Sequence, residues 1–179
     1  MNKSSQSALI QLARNVLYEH YGLSVDNRID LTTFPELTKK SGLFVSLYLR
    51  GELHGCVGHV VGDMTRAAAV RKMAVAAATM DPRFYPLEAE VIPQVTIEIS
   101  LLSPFELTRD FSAIKVGRHG LAVEVEGQQG LLLPQVADRY KWTAEQFLEE
   151  TCIKAGLPRD AYLRPDAKVS RFTATVIKE

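Results

Sequence analysis

The residues best suited to chemistry lie in the hexapeptide Leu53-His54-Gly55-Cys56-Val57-Gly58, where a lone cysteine stands between two glycines. The flanking residues read as a β-strand, and glycine weakens a strand, so two glycines in four positions point to a bulge or to the close approach of a ligand or another backbone. On an extended backbone His54 and Cys56 project to the same face and His59 to the other. An imidazolium beside the thiol would favour the thiolate, and the amides of Gly55 to Gly58 would supply donors for developing negative charge. The pattern suits a nucleophilic or ligand-contacting thiol. It also suits a small buried hydrophobe in a tightly packed strand.

Further polar candidates lie downstream. Arg83, in Asp81-Pro82-Arg83, either pairs with Asp81 in a turn or grips a carboxylate or phosphate with two prongs. His119, in Gly117-Arg118-His119-Gly120, is offered by a polar turn to an anion or to the thiol. Gln135 follows Pro134 at the end of an apolar run, where it would orient a ligand or tie down a loop. Glu98 is a general base if burial raises its pKa. The candidates are therefore Cys56 and His119 as catalytic groups, with His54, Gly55, Gly58, Arg83 and Gln135 as ligand contacts. A metal reading would join Cys56, His59 and His119, but residues three apart on a strand diverge, and neither a metal nor a cofactor is expected.

The elements that must position these groups follow from periodicity. Leu9, Leu12, Ala13, Val16 and Leu17 form a helical stripe after serines that serve as a cap, with Gly22 beyond the end. Residues 24–41 read as loop and short turns. Leu43 to Leu49 and the run from Leu53 read as a hairpin around Arg50-Gly51-Glu52. Thr65 to Met80 is an alanine-rich helix stopped by Asp81-Pro82. Val95 to Leu102 alternates as a half-buried strand. Leu121 to Glu126 and Leu131 to Leu133 flank a loop over Gly127 to Gly130, Thr143 and Gln146 form a capping box, and Val169 to Ile177 returns as a strand. Cys152 falls on the inner stripe of the last helix and reads as inert, and Tyr140, Trp142 and Phe147 read as packing residues. Hairpins mixed with helices predict an α+β fold, with a mainly antiparallel sheet flanked by helices.

Composition narrows the function classes. The 179 residues suit one domain, 1–179, with room for a smaller lobe. Lys plus Arg equals Asp plus Glu at 21 each, so no global positive field favours nucleic acid or an anionic membrane. No apolar run approaches the roughly 20 residues of a membrane span, and the polar start lacks a signal-peptide core, so a cytoplasmic location is expected. Both cysteines are expected to be reduced.

Four strings together resemble the AMMECR domain family: the hexapeptide, Asp81-Pro82-Arg83-Phe84 with Pro86-Leu87, Gly117-Arg118-His119-Gly120-Leu121, and Gly130-Leu131-Leu132-Leu133-Pro134-Gln135-Val136. The resemblance spans nearly the whole chain. It implies a larger and a smaller lobe, with a cleft near the cysteine motif. It also implies companions, a Memo-type protein and a radical S-adenosylmethionine protein, beside which bacterial and archaeal relatives are often encoded. The family hexapeptide usually reads Leu-Arg-Gly-Cys-Ile-Gly, so His54 stands where an arginine is usual and a fixed charge gives way to a ring whose charge depends on pH. Two function classes stay open: a small-ligand or enzymatic site at Cys56, and a non-catalytic protein that docks onto a companion.

Overall fold

The computed structural model describes residues 1–25 and 27–179. The chain divides into a larger unit, residues 1–102 with 175–179, and a smaller one, residues 103–174.

In the larger unit, helix α1 (Lys3–His20) is capped by Asn2, whose side chain accepts from the Ser5 amide at 2.8 Å. The serines expected to cap it lie inside the helix instead. Helix α2 (Arg66–Thr79) is capped by Thr65. Strands β1 (Leu43–Leu49) and β2 (Glu52–His59) form an antiparallel hairpin, and β1 also pairs antiparallel with β3 (Val95–Leu102). Arg50 and Gly51 both take positive φ, 53° and 83°, the twist that joins adjacent strands in two residues. Glu52 is thereby released from the turn into the strand. Leu9, Leu12 and Leu17 of α1 and Val70, Ala74 and Ala77 of α2 share one core with Val45, Leu47, Ile97 and Ile99. None of the described helices is long and apolar enough to cross a membrane.

The smaller unit is built on β5 (His119–Val125), which pairs antiparallel with β6 (Gln128–Leu132) and with β7 (Lys168–Lys178). The short β4 (Glu106–Leu107) also pairs with β7. The β5–β6 turn is only Glu126-Gly127, with φ of 52° and 83°, so Gln128 to Gly130 belong to the strand rather than to the expected loop. Helix α3 (Pro134–Tyr140), with proline at its start, was not expected from the sequence. Helix α4 (Ala144–Lys154) begins with the expected Thr143–Gln146 capping box. Phe147 and Cys152 are fully buried with Val123 and Val169, and burial raises the Cys152 pKa. Tyr140 departs from the packing expectation: it is exposed and stacks on Trp142 with ring centroids 5.0 Å apart.

The motif glycines answer to the protein's own packing. A Cβ on Gly55 would lie 1.9 Å from the Ala77 carbonyl oxygen, so the end of α2 rests on the bare backbone of β2. A Cβ on Gly58 would meet the Phe44 ring at 2.2 Å, because Phe44 stands opposite it across the hairpin. The first obstacle is backbone and the second a half-buried side chain. Gly55→Ala is therefore expected to destabilise the chain by about 3 kcal/mol, the upper range for overpacking, and Gly58→Ala by about 1–2 kcal/mol as Phe44 turns aside. Urea unfolding of the two variants checks the order, and equal losses would contradict it.

Candidate functional site

Cys56 lies on β2, which among the described strands pairs with β1 alone, so one side of its backbone has no strand beside it there. Ser46 stands directly across from it on β1, and on its far side Ser46 faces Glu98 of β3. Cys56, Ser46 and Glu98 thus form a polar row over three strands. The Ser46 hydroxyl donates to Cys56 Sγ at 3.2 Å, and the thiol is half-buried. Glu98 carries an ion pair with Lys178 at 3.3 Å. Ser46 was missed in the sequence. Its one signal is that it is the only hydroxyl-bearing aliphatic position in an otherwise apolar Leu43–Leu49 run.

The open backbone edge at Cys56 is closed by side chains. The Cys56 amide donates to Asp81 Oδ2 at 2.8 Å, and Arg83 donates from its guanidinium to the Cys56 carbonyl at 3.4 Å. Arg83 in turn holds Asp81 in a fork, Nε to Oδ1 at 2.9 Å and a terminal nitrogen to Oδ2 at 2.7 Å. An ion pair here supplies the donor and acceptor that a neighbouring strand would supply. The Asp81 side chain is only 3% exposed while that of Arg83 is 55% exposed. Arg83 acts first as the partner of Asp81, the turn reading of the sequence. The expectation that the Cys56 amide would serve a developing oxyanion is overturned, because that amide is already committed to Asp81.

His54 does not follow the alternation assumed for it. The β1–β2 register shifts at a bulge, Gly55 facing Leu47 and Leu53 facing Tyr48, so His54 is the extra residue. Its ring lies 6.1 Å from that of Phe84 and helps to line a concavity of about 340 Å³ with Arg83, Phe84, Tyr85 and Leu87. The cysteine side chain instead meets Ser46. The imagined histidine–cysteine pair on one face of an unbroken strand is thereby corrected.

His119 and Gln135 belong to the smaller unit. His119 opens β5 rather than sitting in a turn, and its Nδ1 accepts from the Lys115 amide at 3.1 Å. Burial, then the charges of Arg171, Arg118 and Lys115, lower its pKa. Gln135 lies in the first turn of α3 instead of at a strand end. His59 pairs with Asp63. Among the described residues no three His, Cys, Asp or Glu side chains converge to hold a metal ion.

The Asp81 clamp has a pH signature. The Arg83 hydrogen bonds, aided by the Cys56 amide, hold the Asp81 pKa at about 2 against an ordinary 3.8. A carboxylate with a lowered folded-state pKa stabilises fully above its unfolded pKa, and that contribution is lost as pH falls through 3.8 towards 2. Asp81→Asn is expected to cost about 1–3 kcal/mol at neutral pH. The gap from the parent chain should narrow as pH is lowered through that interval, as followed by urea unfolding at several pH values. A gap that stays constant with pH would contradict the ionic role.

The comparisons agree with this fold. The AMMECR1 family model matches residues 10–177. A protein of Methanothermobacter thermautotrophicus is 37% identical, with 100% of this chain and 96% of that protein covered. Protein PF1979 of Pyrococcus furiosus is 40% identical over 96% of this chain and 86% of its own length. The crystal structure of the uncharacterized protein PH0010 from Pyrococcus horikoshii superposes with a TM-score of 0.89 at 38% identity, covering 98% of this chain and 92% of that one. With the family model matched from residue 10 to 177 and relatives of this identity aligned along nearly its whole length, the chain belongs to the AMMECR1 family.

Proposed function

We propose that the larger unit receives a small electrophilic molecule at Cys56 and that the thiol is its reacting group. The observation that carries this reading is the Ser46 hydroxyl donating to Cys56 Sγ at 3.2 Å. A donor aimed at sulfur stabilises the thiolate more than the thiol, because only the thiolate concentrates a full negative charge there. The Arg83 charge is offset at the cysteine by its Asp81 partner, so the hydroxyl is the group that acts on the sulfur. The exposed part of the Arg83 guanidinium would favour a substrate that carries a negative charge. In the step envisaged, the thiol passes its proton to water and the thiolate adds to the carbon of an activated double bond: the C–S bond forms, the π bond breaks, and its electron pair moves to the far atom, which takes a proton from water. Cys152, buried in the smaller unit, has no such setting.

A second reading, docking onto a Memo-type or radical S-adenosylmethionine companion, draws on Met80 and Tyr85. These side chains flank the clamp and are 73% and 94% exposed. Thiol reactivity separates the two readings. With iodoacetamide at pH 7, Cys56 is expected to react several-fold faster than the cysteine of an unstructured Leu53–Gly58 peptide, and Ser46→Ala should slow it. Mass spectrometry localises the adduct, and Cys152 should stay unmodified until the chain unfolds. A Cys56 slower than the peptide and indifferent to Ser46→Ala would overturn the thiol reading and leave docking the better one.

A further inference from the structure

The smaller unit holds a concavity of about 530 Å³ that the thiol site does not use. The volume lies within the range of roughly 300–1,000 Å³ that small-molecule sites occupy. Its wall includes Lys115, Arg118, His119 and Arg171, with Glu106 as the one carboxylate among the described lining residues. Three permanent cations against one anion give it a positive balance in a chain whose net charge is zero. The positive charge is therefore local.

The backbone explains the gathering. His119 stands opposite Thr173 on β7, and Arg171 lies two residues from Thr173, so the imidazole and the guanidinium arise from one face of paired strands. Arg171 is fixed by Glu106 at 3.2 Å and by the Ala113 carbonyl at 3.4 Å. Phe172 rests on Gly120, where a Cβ would meet the ring at 2.3 Å. Lys115 and Arg118 are exposed, and among the described residues neither makes an ion pair. Two cations are thus left uncommitted beside a third that is held in place.

His119 completes the donor set. It is only 9% exposed, and because Nδ1 accepts the Lys115 amide, the neutral ring carries its proton on Nε2. A buried N–H, two free cationic side chains and a fixed guanidinium have only donors to offer. A carboxylate would be matched by one such fork, whereas a phosphoryl group presents three oxygens and up to two charges.

We propose that this concavity is a binding site for a small phosphorylated molecule, its phosphoryl group taken by Lys115, Arg118, Arg171 and the His119 N–H. The site is independent of Cys56 and stands or falls without it. Isothermal titration of the full chain with inorganic pyrophosphate, and with citrate in parallel, tests it. Saturable pyrophosphate binding is expected, tighter than citrate. The double variant Lys115→Gln, Arg118→Gln should weaken it by at least about tenfold, since it removes two charge-assisted donors. Both changes are at exposed positions, so thermal unfolding in phosphate-free buffer should be unchanged. A ¹⁵N shift of the His119 ring on titration provides a second readout. No saturable binding, equal binding by the double variant, a preference for citrate, or a His119 signal that ignores pyrophosphate would each overturn the proposal.

Discussion

One carboxylate governs the geometry of the cysteine hairpin. Asp81 accepts the amide of Cys56 and is itself held in a fork by Arg83, which returns a hydrogen bond to the carbonyl of the same cysteine. An edge strand otherwise leaves such groups to water, and there they invite pairing with another chain. Here an ion pair two residues apart in sequence closes the edge at one residue. A buried carboxylate without a partner is costly, so Arg83 matters most as the group that makes the Asp81 charge tolerable. Fixing the backbone of Cys56 fixes where its sulfur meets Ser46. The same segment is anchored beyond the clamp, where the Leu87 amide reaches the Ala78 carbonyl and Tyr21 donates to the carbonyl of Leu87.

The glycines on either side of Cys56 belong to that framework. Gly55 admits the last turn of α2, whose alanines let the helix come down onto the strand, and Gly58 admits the ring of Phe44. Their smallness serves internal contacts, and the room it creates is already filled by this protein's own atoms. What makes the motif chemically interesting is the row of Cys56, Ser46 and Glu98 on the sheet face, with the hydroxyl in the middle turned to the sulfur. The smaller unit repeats the economy at Gly120 and Phe172, again with an aromatic ring on a strand glycine.

Much of the fold was legible because its causes are local. The Thr143–Gln146 box, the alternation from Val95 to Leu102, the Leu43–Leu49 strand and the α+β class all follow from spacing within a few residues. Reading failed where a distant or conformational cause intervened. The bulge that removes His54 from the cysteine's alternation depends on hairpin register, and the contact of Asp81 with Cys56 spans 25 positions. Pro134 and Gln135 read as the end of an apolar run, but proline readily opens a helix, as it does in α3. His119 between glycines looked like a turn residue, yet its pairing with Thr173 draws it into a strand. Arg83 was legible as the turn partner of Asp81, and only the geometry shows that this bond takes up most of its fork.

The most direct measurement of the clamp is native-state hydrogen exchange at the Cys56 amide in the parent chain and in Asp81→Asn. Despite its place on an edge strand, this amide should exchange as slowly as those paired inside the sheet, and the substitution should speed it while leaving the interior amides of β1 unchanged. Fast exchange at Cys56 in the parent chain, or no response to the loss of the carboxylate, would contradict the claim that Asp81 holds the strand in place.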